Sequence, residues 1–123
     1  MTDATPGGTA PDGPVALTDL VQYQAGSVVS RTVVKKPAGT VTMFAFDAGE
    51  GLSEHTAAFD ALVVMVDGEA EVSIAGSTHR VTAGQMLLLP ANVPHALKAE
   101  TRVRMLLVML RDAAREPAAT PRT

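Results

Sequence analysis

Short runs of strand-forming residues, separated by glycine and proline turns, fill the chain between residues 27 and 110. β-Branched residues favour strands, whereas Gly and Pro end them, as PAG at 37–39, DG at 67–68 and AG at 83–84 do here. Many short strands with turns between them predict an all-β sandwich or closed barrel, with helix limited to one turn near 17–22. The predicted strands are 27–36, 40–47, 60–67, 69–75, 78–82, 85–89, 95–99 and 101–110.

The patterns within these runs indicate how each strand is exposed. Residues 69–75 (EAEVSIA) alternate between apolar and polar, which is typical of a strand with one face in water. Residues 60–67 (DALVVMVD) are apolar on both faces, which suits a strand that is covered on both sides. The run 101–110 (TRVRMLLVML) is long enough for a helix, but Arg102 and Arg104 repeat with a period of two, so we predict a strand with both arginines facing water.

Composition separates a folded body from two tails. Residues 1–16 and 112–123 are rich in Thr, Pro, Ala, Gly and charged residues and poor in apolar side chains, so we predict that both tails are disordered. The remaining body, 17–111, has the length of one domain.

Charge and cysteine content exclude several classes of function. The chain has no cysteine, which rules out disulfides, thiolate catalysis and Cys-ligated zinc. Its net charge is -3 and it carries no basic patch, so we expect no nucleic-acid partner. No apolar run approaches the length that spans a membrane, and the first residues have neither a basic region nor an apolar core. We therefore expect a cytoplasmic protein with no membrane contact.

Two of the three histidines, His55 and His95, lie in segments that begin with a glycine. Five residues separate Gly49 from His55, and the second segment (84–95, GQMLLLPANVPH) runs from a glycine through Pro90 to His95. Imidazoles that project inward from two strands can share one ligand or metal ion. We expect His55 and His95 to meet inside the barrel, whereas His79, which lies elsewhere on a short strand, is interpreted as structural or at the surface.

These two segments resemble the motifs of small single-domain cupins, and the resemblance covers residues 39–110. The first family motif is a glycine followed by His-x-His and a glutamate, and the second is a glycine, a Pro-x-Gly turn and a histidine. The resemblance implies a double-stranded β-helix, the jelly-roll barrel. It also implies a ligand or metal site in the barrel interior.

The motif residues carry over only in part. His55 takes the first histidine position and His95 the last, whereas the second histidine position falls on Ala57 and the glutamate position on Ala61, with Asp60 beside it. The metal set that the resemblance implies is therefore reduced to His55 and His95. A divalent transition metal (Zn, Fe, Mn or Ni) would have an incomplete ligand set here, since catalytic sites normally use three protein ligands and an open position.

Strand parity extends this set to a predicted interior. One parity of the chain carries His55, Ala57, Ala61 and Met65 inward; Met86 and Leu88 share the parity of Pro90, and Met105 opposes the two arginines. Asp60 is added because a carboxylate beside an imidazole orients it. The candidate ligand-binding residues are His55, Ala57, Asp60, Ala61, Met65, Met86, His95 and Met105.

Function and assembly follow less directly. Three hypotheses stay open: an enzyme of the oxygenase, isomerase, decarboxylase or cyclase type acting on a small organic molecule; a metal-free module that binds or senses a small molecule without catalysis; and a scaffold with no ligand. One small barrel cannot bury both faces of the apolar strands 60–67, 85–89 and 101–110, so we predict a homodimer.

Overall fold

The computed structural model describes residues 10–111, which form nine strands and a 3₁₀ turn at Leu17–Asp19. The turn lies where one was predicted. Of the two predicted tails, 1–9 and 112–123 lie outside the described residues, and 10–16 form no strand and are exposed. The strands are β1 (Val28–Lys36), β2 (Gly39–Phe46), β3 (Gly51–His55), β4 (Asp60–Asp67), β5 (Glu69–Ile74), β6 (Ser77–Thr82), β7 (Met86–Leu89), β8 (His95–Ala99) and β9 (Val103–Leu110).

The strands form two antiparallel sheets. The larger has the order β1-β2-β9-β4-β7 and the smaller the order β3-β8-β5-β6. This is the predicted all-β jelly-roll barrel. Buried apolar side chains from both sheets fill the space between them and form the main core, which consists of Phe46, Ala61, Val63, Met65, Ala70, Val72, Val81, Leu89, Leu97, Ala99, Val103 and Met105.

The N-terminal segment covers part of the outer face of the larger sheet. Leu20 and Val21 are buried there against outward-facing side chains of β1 and β2, such as Met43 and Ala45. Burying a side chain of this size stabilises the fold by roughly 1.5–3 kcal/mol. The chain therefore covers one apolar outer region itself, at the β1–β2 side of the sheet.

A cation–π cluster holds the end of this segment. The Tyr23 ring lies 5.1 Å from the Arg102 guanidinium and 4.2 Å from that of Arg104. Arg104 also donates to the carbonyl oxygen of Val21 at 3.0 Å and pairs with Asp67 at 2.8 Å. The prediction that Arg104 faces water is therefore wrong: its side chain is only 14% exposed, because the N-terminal segment folds over it.

The predicted orientation of β7 is also wrong. Cross-strand partners point to the same face, and β7 pairs with β4 in the register Ala61↔Leu89 and Val63↔Leu87. Leu87 and Leu89 therefore face inward, whereas Met86 is 60% exposed and Leu88 is 45% exposed on the outside. The prediction extended the parity of Pro90 backwards, but Pro90 lies beyond the end of β7, where the alternation of strand side chains no longer holds.

Candidate functional site

A cavity opens at the end of the barrel where β3 and β9 finish and β4 and β8 begin. The empty space in the cavity and in front of its mouth is about 490 Å³, which includes open solvent. Apart from two imidazoles, its lining side chains are all apolar. The lining residues are Leu52, His55, Ala57, Ala61, Val63, Val72, Leu89, His95, Ala96, Leu97, Met105, Leu107 and Met109.

The structure brings His55 and His95 together at this end of the barrel. They are direct partners in the β3–β8 pair, and their ring centroids lie 4.4 Å apart with the planes at 71°. His95 is buried, with 8% exposure, whereas His55 is exposed at the mouth. His79 lies on β6, is exposed, and does not line the cavity.

A β-bulge in β3 produces this pairing. Leu52 pairs with Leu97, and the next partners are His55 and His95, so residues 53 and 54 of β3 oppose residue 96 alone. In an unbroken register, Glu54 would lie opposite His95 instead. Bulges are known to redirect a side chain near functional sites, and here the extra residue keeps His55 on the inner face, like Leu52.

Backbone carbonyls orient both imidazoles in the same way. The Nδ1 atom of His55 lies 2.9 Å from the carbonyl oxygen of Ser53, and the Nδ1 atom of His95 lies 3.2 Å from that of Val93. A carbonyl oxygen only accepts hydrogen bonds, so each Nδ1 carries the hydrogen and donates it. On a neutral ring, Nε2 then keeps a lone pair, and neither Nε2 has a partner among the described residues.

The structure also corrects the role of Asp60. Its Oδ1 accepts the backbone N–H of Ala91 at 2.8 Å, its side chain is exposed, and it does not line the cavity. Asp60 thus holds the 90–94 turn that precedes His95. We expected Asp60 to orient an imidazole, but the backbone carbonyls of Ser53 and Val93 orient the two rings instead.

The other predicted interior residues divide into two groups. Ala57, Ala61 and Met105 line the cavity, whereas Met65 is buried in the core outside the lining and Met86 lies on the outer face. Sequence reasoning missed several lining residues. Extending the period of two beyond Met105 would have found Leu107 and Met109, but β3 carries too few apolar residues to be recognised as a strand, so Leu52 had no such signal.

The donor set does not fit a complete protein-bound metal site. Within residues 10–111, no group of three or more His, Asp or Glu side chains is placed to hold a metal ion. The candidate metal ligands that lie together are His55 and His95 alone, and a catalytic metal normally takes three protein ligands. Positions 57 and 61, where the resemblance implied further ligands, hold alanines.

Comparisons with known proteins agree with this architecture. A family model described as the cupin domain matches residues 42–109. A conserved protein of unknown function from Streptococcus pyogenes is 35% identical, with a TM-score of 0.78, covering 82% of this chain and 89% of that one. A cupin superfamily protein from Desulfitobacterium hafniense is 25% identical, with a TM-score of 0.79, covering 85% and 95%. No curated protein matches this chain.

A third solved structure is a cupin 2 conserved barrel domain protein from Leptotrichia buccalis, 40% identical with a TM-score of 0.74. The match covers 76% of this chain and 46% of that protein. Because the family model spans more than half of the sequence, this chain belongs to the cupin family. Cupins often bind metals, and their fold commonly binds small molecules. Among residues 10–111, no helix is long and apolar enough to cross a membrane.

Proposed function

We propose that the barrel cavity binds a small, largely apolar organic molecule and that His55 and His95 hold its polar group. The observation that carries this proposal is an apolar-walled cavity that is open to solvent and has two oriented imidazoles in its wall. Ligand pockets have this character: they are concave and mostly apolar, with a few placed polar groups.

Two alanines make the space for such a molecule. Ala57 and Ala61 line the cavity at the positions where the family motif has larger, polar ligands. Their small side chains leave volume beside the imidazoles, which a substrate's apolar body can fill. This favours binding of an organic molecule over a metal ion held by the protein alone, because an alanine side chain cannot coordinate a metal.

Catalysis is a second candidate, and the imidazole pair is the feature that favours it. Each Nε2 is a basic nitrogen on a ring whose orientation is already set by a backbone carbonyl. A base must lie within hydrogen-bond reach of the proton that it removes, and a molecule in the cavity would lie beside these rings. Turnover of the bound molecule would make the protein an enzyme, whereas binding alone would make it a sensing module. A cytoplasmic location remains a prediction of the sequence.

The binding proposal can be tested with 4-methylphenol, which has an apolar body and one polar group. We expect saturable binding in a ¹H–¹⁵N NMR titration, with the largest shifts at cavity residues such as Ala61, Leu97 and Met105. The His55→Ala/His95→Ala double variant should bind roughly tenfold more weakly, since the phenol hydroxyl loses the imidazole that accepts its hydrogen bond. Absence of binding, or shifts confined to another surface, would contradict the proposal.

Elemental analysis of the same two proteins tests the metal alternative. Because two imidazoles are an incomplete ligand set, we expect the purified wild-type protein to hold less than stoichiometric metal. Stoichiometric Zn, Fe, Mn or Ni in the wild type that is lost in the double variant would favour a metal centre over the proposed organic ligand.

We also propose a homodimer, which an apolar surface on the larger sheet supports. The outer patch consists of Leu62, Val64, Met86, Leu88, Val108 and Leu110 on β4, β7 and β9. Leu62 pairs with both Leu88 and Val108, so these side chains form one continuous row across the three strands. The apolar cluster that Leu20 and Val21 form on the outer face of the same sheet does not include these residues. Asp60, the exposed cross-strand partner of Leu110, lies at the edge of this surface, whose centre is apolar. An apolar centre with a polar rim suits a two-fold interface, in which each copy presents the same surface.

Charge introduced into this patch should separate the copies. We expect the wild-type protein to sediment as a dimer at micromolar concentration and Leu88→Lys to sediment as a monomer, because a lysine there would be buried without a partner. Thr78→Lys is the matched control, since Thr78 is exposed on β6 of the other sheet. A monomeric wild-type protein, or equal dissociation of both variants, would rule out the outer patch as the interface.

A further inference from the structure

We infer that the molecule bound in the cavity carries two neighbouring hydroxyl groups on an apolar body, as a catechol does, and that both hydroxyls donate hydrogen bonds to the histidines. This inference rests on the proposed function and specifies its ligand class. It follows from the hydrogen-bonding groups of the cavity wall, whose side chains offer two acceptors and no free donor.

The two imidazoles offer acceptors to a ligand. Each Nδ1 hydrogen is already donated to a carbonyl oxygen, that of Ser53 or of Val93. The nitrogen left on each neutral ring is Nε2, which accepts a hydrogen bond and has none to donate. The Nε2 of His95 is also within reach of a ligand. Among the described residues, every fully buried side-chain nitrogen or oxygen has a hydrogen-bond partner. Because the Nε2 of His95 has none, this atom is accessible to solvent although the residue is largely buried.

The rest of the wall supplies no side-chain donor. The remaining lining residues are Ala, Val, Leu and Met, so no hydroxyl, amide, lysine or arginine faces a ligand from the lining. A ketone, ether or ester group beside the imidazoles would lose part of its hydrogen bonding to water and would find no side-chain donor in the lining. Leaving such a group without a hydrogen bond in an apolar site is unfavourable. The free-energy cost is typically larger than the net stabilisation that one hydrogen bond contributes.

Charged donors are disfavoured by the same wall. An ammonium group could donate to both Nε2 atoms, but no aspartate or glutamate lines the cavity to balance its charge. Taking an unpaired charge out of water is far more costly than taking out a hydroxyl. A neutral hydroxyl is thus the group that matches the acceptors without adding a charge.

The proximity of the two rings points to a pair of hydroxyls. His55 and His95 face each other across β3 and β8 with ring centroids 4.4 Å apart. One bound molecule can therefore reach both rings with donors on adjacent atoms. A single hydroxyl has one hydrogen and satisfies only one of the two acceptors.

Three probes with the same toluene body test this inference: 4-methylcatechol, 2-methoxy-4-methylphenol and 3,4-dimethoxytoluene, which have two, one and no hydroxyl donors. Binding is measured by NMR titration on protein treated with EDTA, so that chelation of a metal cannot set the order. We expect affinity to fall in that sequence, by roughly threefold to tenfold for each lost donor.

Two matched variants separate hydrogen bonding from size. His55→Phe keeps a ring of similar shape but has no acceptor, and it should reduce the preference for 4-methylcatechol over 2-methoxy-4-methylphenol to less than twofold. His79→Phe makes the same change at an exposed site outside the cavity and should leave the preference unchanged. A preference that persists in His55→Phe would show that the methoxy group is excluded by its size, and would overturn the inference.

The outcomes distinguish this inference from the function on which it rests. If all three probes bind in the cavity with equal affinity, or if 3,4-dimethoxytoluene binds most tightly, the hydroxyl inference is overturned and the proposed binding function stands. If none of the three probes binds, and 4-methylphenol also fails, the proposed function is overturned as well. The wild-type series decides between these results even if His55→Phe does not fold.

Discussion

Replacing Gly68 with alanine is expected to lower the free energy of unfolding by about 3 kcal/mol or more. Gly68 forms the turn between β4 and β5 with φ of 81°, a left-handed conformation that costs an L-residue roughly 1–2 kcal/mol. A methyl group there would also collide with the carbonyl oxygen of Arg102 and crowd the Thr101 side chain. Because the obstacle is backbone, it cannot move without displacing the start of β9.

Gly76→Ala is the matched control for this prediction. Gly76 lies in the β5–β6 turn with a similar φ of 86°, but nothing lies within 4 Å of the position that a Cβ would take. We expect Gly76→Ala to lose only the conformational contribution to the free energy of unfolding, roughly 1–2 kcal/mol. Urea denaturation followed by circular dichroism measures both losses. Equal losses in the two variants would show that the approach of Arg102 does not matter.

Filling the cavity mouth should abolish ligand binding while leaving the fold intact. Ala57 lines the cavity and is half-buried, so Ala57→Phe is expected to place a ring in the space beside His55. We expect the affinity for 4-methylphenol to fall by at least tenfold, roughly the loss of 1.4 kcal/mol of binding free energy. The thermal midpoint should change little, because the added ring fills open volume and displaces no core side chain.

The neighbouring alanine provides the control. Ala58 is exposed and does not line the cavity, so Ala58→Phe should bind 4-methylphenol with wild-type affinity. NMR titration of the two variants under the same conditions makes the comparison. If both variants bind as the wild type does, 4-methylphenol occupies a site other than this cavity, and the proposed function would need a different pocket.

Much of the fold could be predicted because strand signals are local. The alternation in EAEVSIA became β5, with Ala70 and Val72 buried and its polar residues only partly so, as a period of two requires. The run TRVRMLLVML became β9 and not a helix. In contrast, β3 was not recognised, because GLSEH holds only one strongly apolar residue and is stabilised by pairing with β8.

The candidate site was predicted in part, for a similar reason. His55 and His95 were identified from glycine and proline spacing, and Ala57, Ala61 and Met105 line the cavity as expected. Met86 was misplaced because the register of β7 against β4, which decides its face, is a long-range property. Asp60 was assigned to an imidazole, but its carboxylate accepts a backbone hydrogen bond from a turn 31 residues away.

By itself, the sequence determined that this chain forms short strands and turns, and that it carries two histidines in a cupin-like spacing. These properties depend on local backbone preferences and side-chain periodicity, which are readable from neighbouring residues. The sequence also predicted that His55 and His95 meet, but only the tertiary structure decided how they face each other, because that depends on the bulge at residues 53 and 54 and on β8 as the partner strand. The hydrogen bonds that turn both Nε2 atoms into acceptors likewise depend on carbonyl positions in the folded chain.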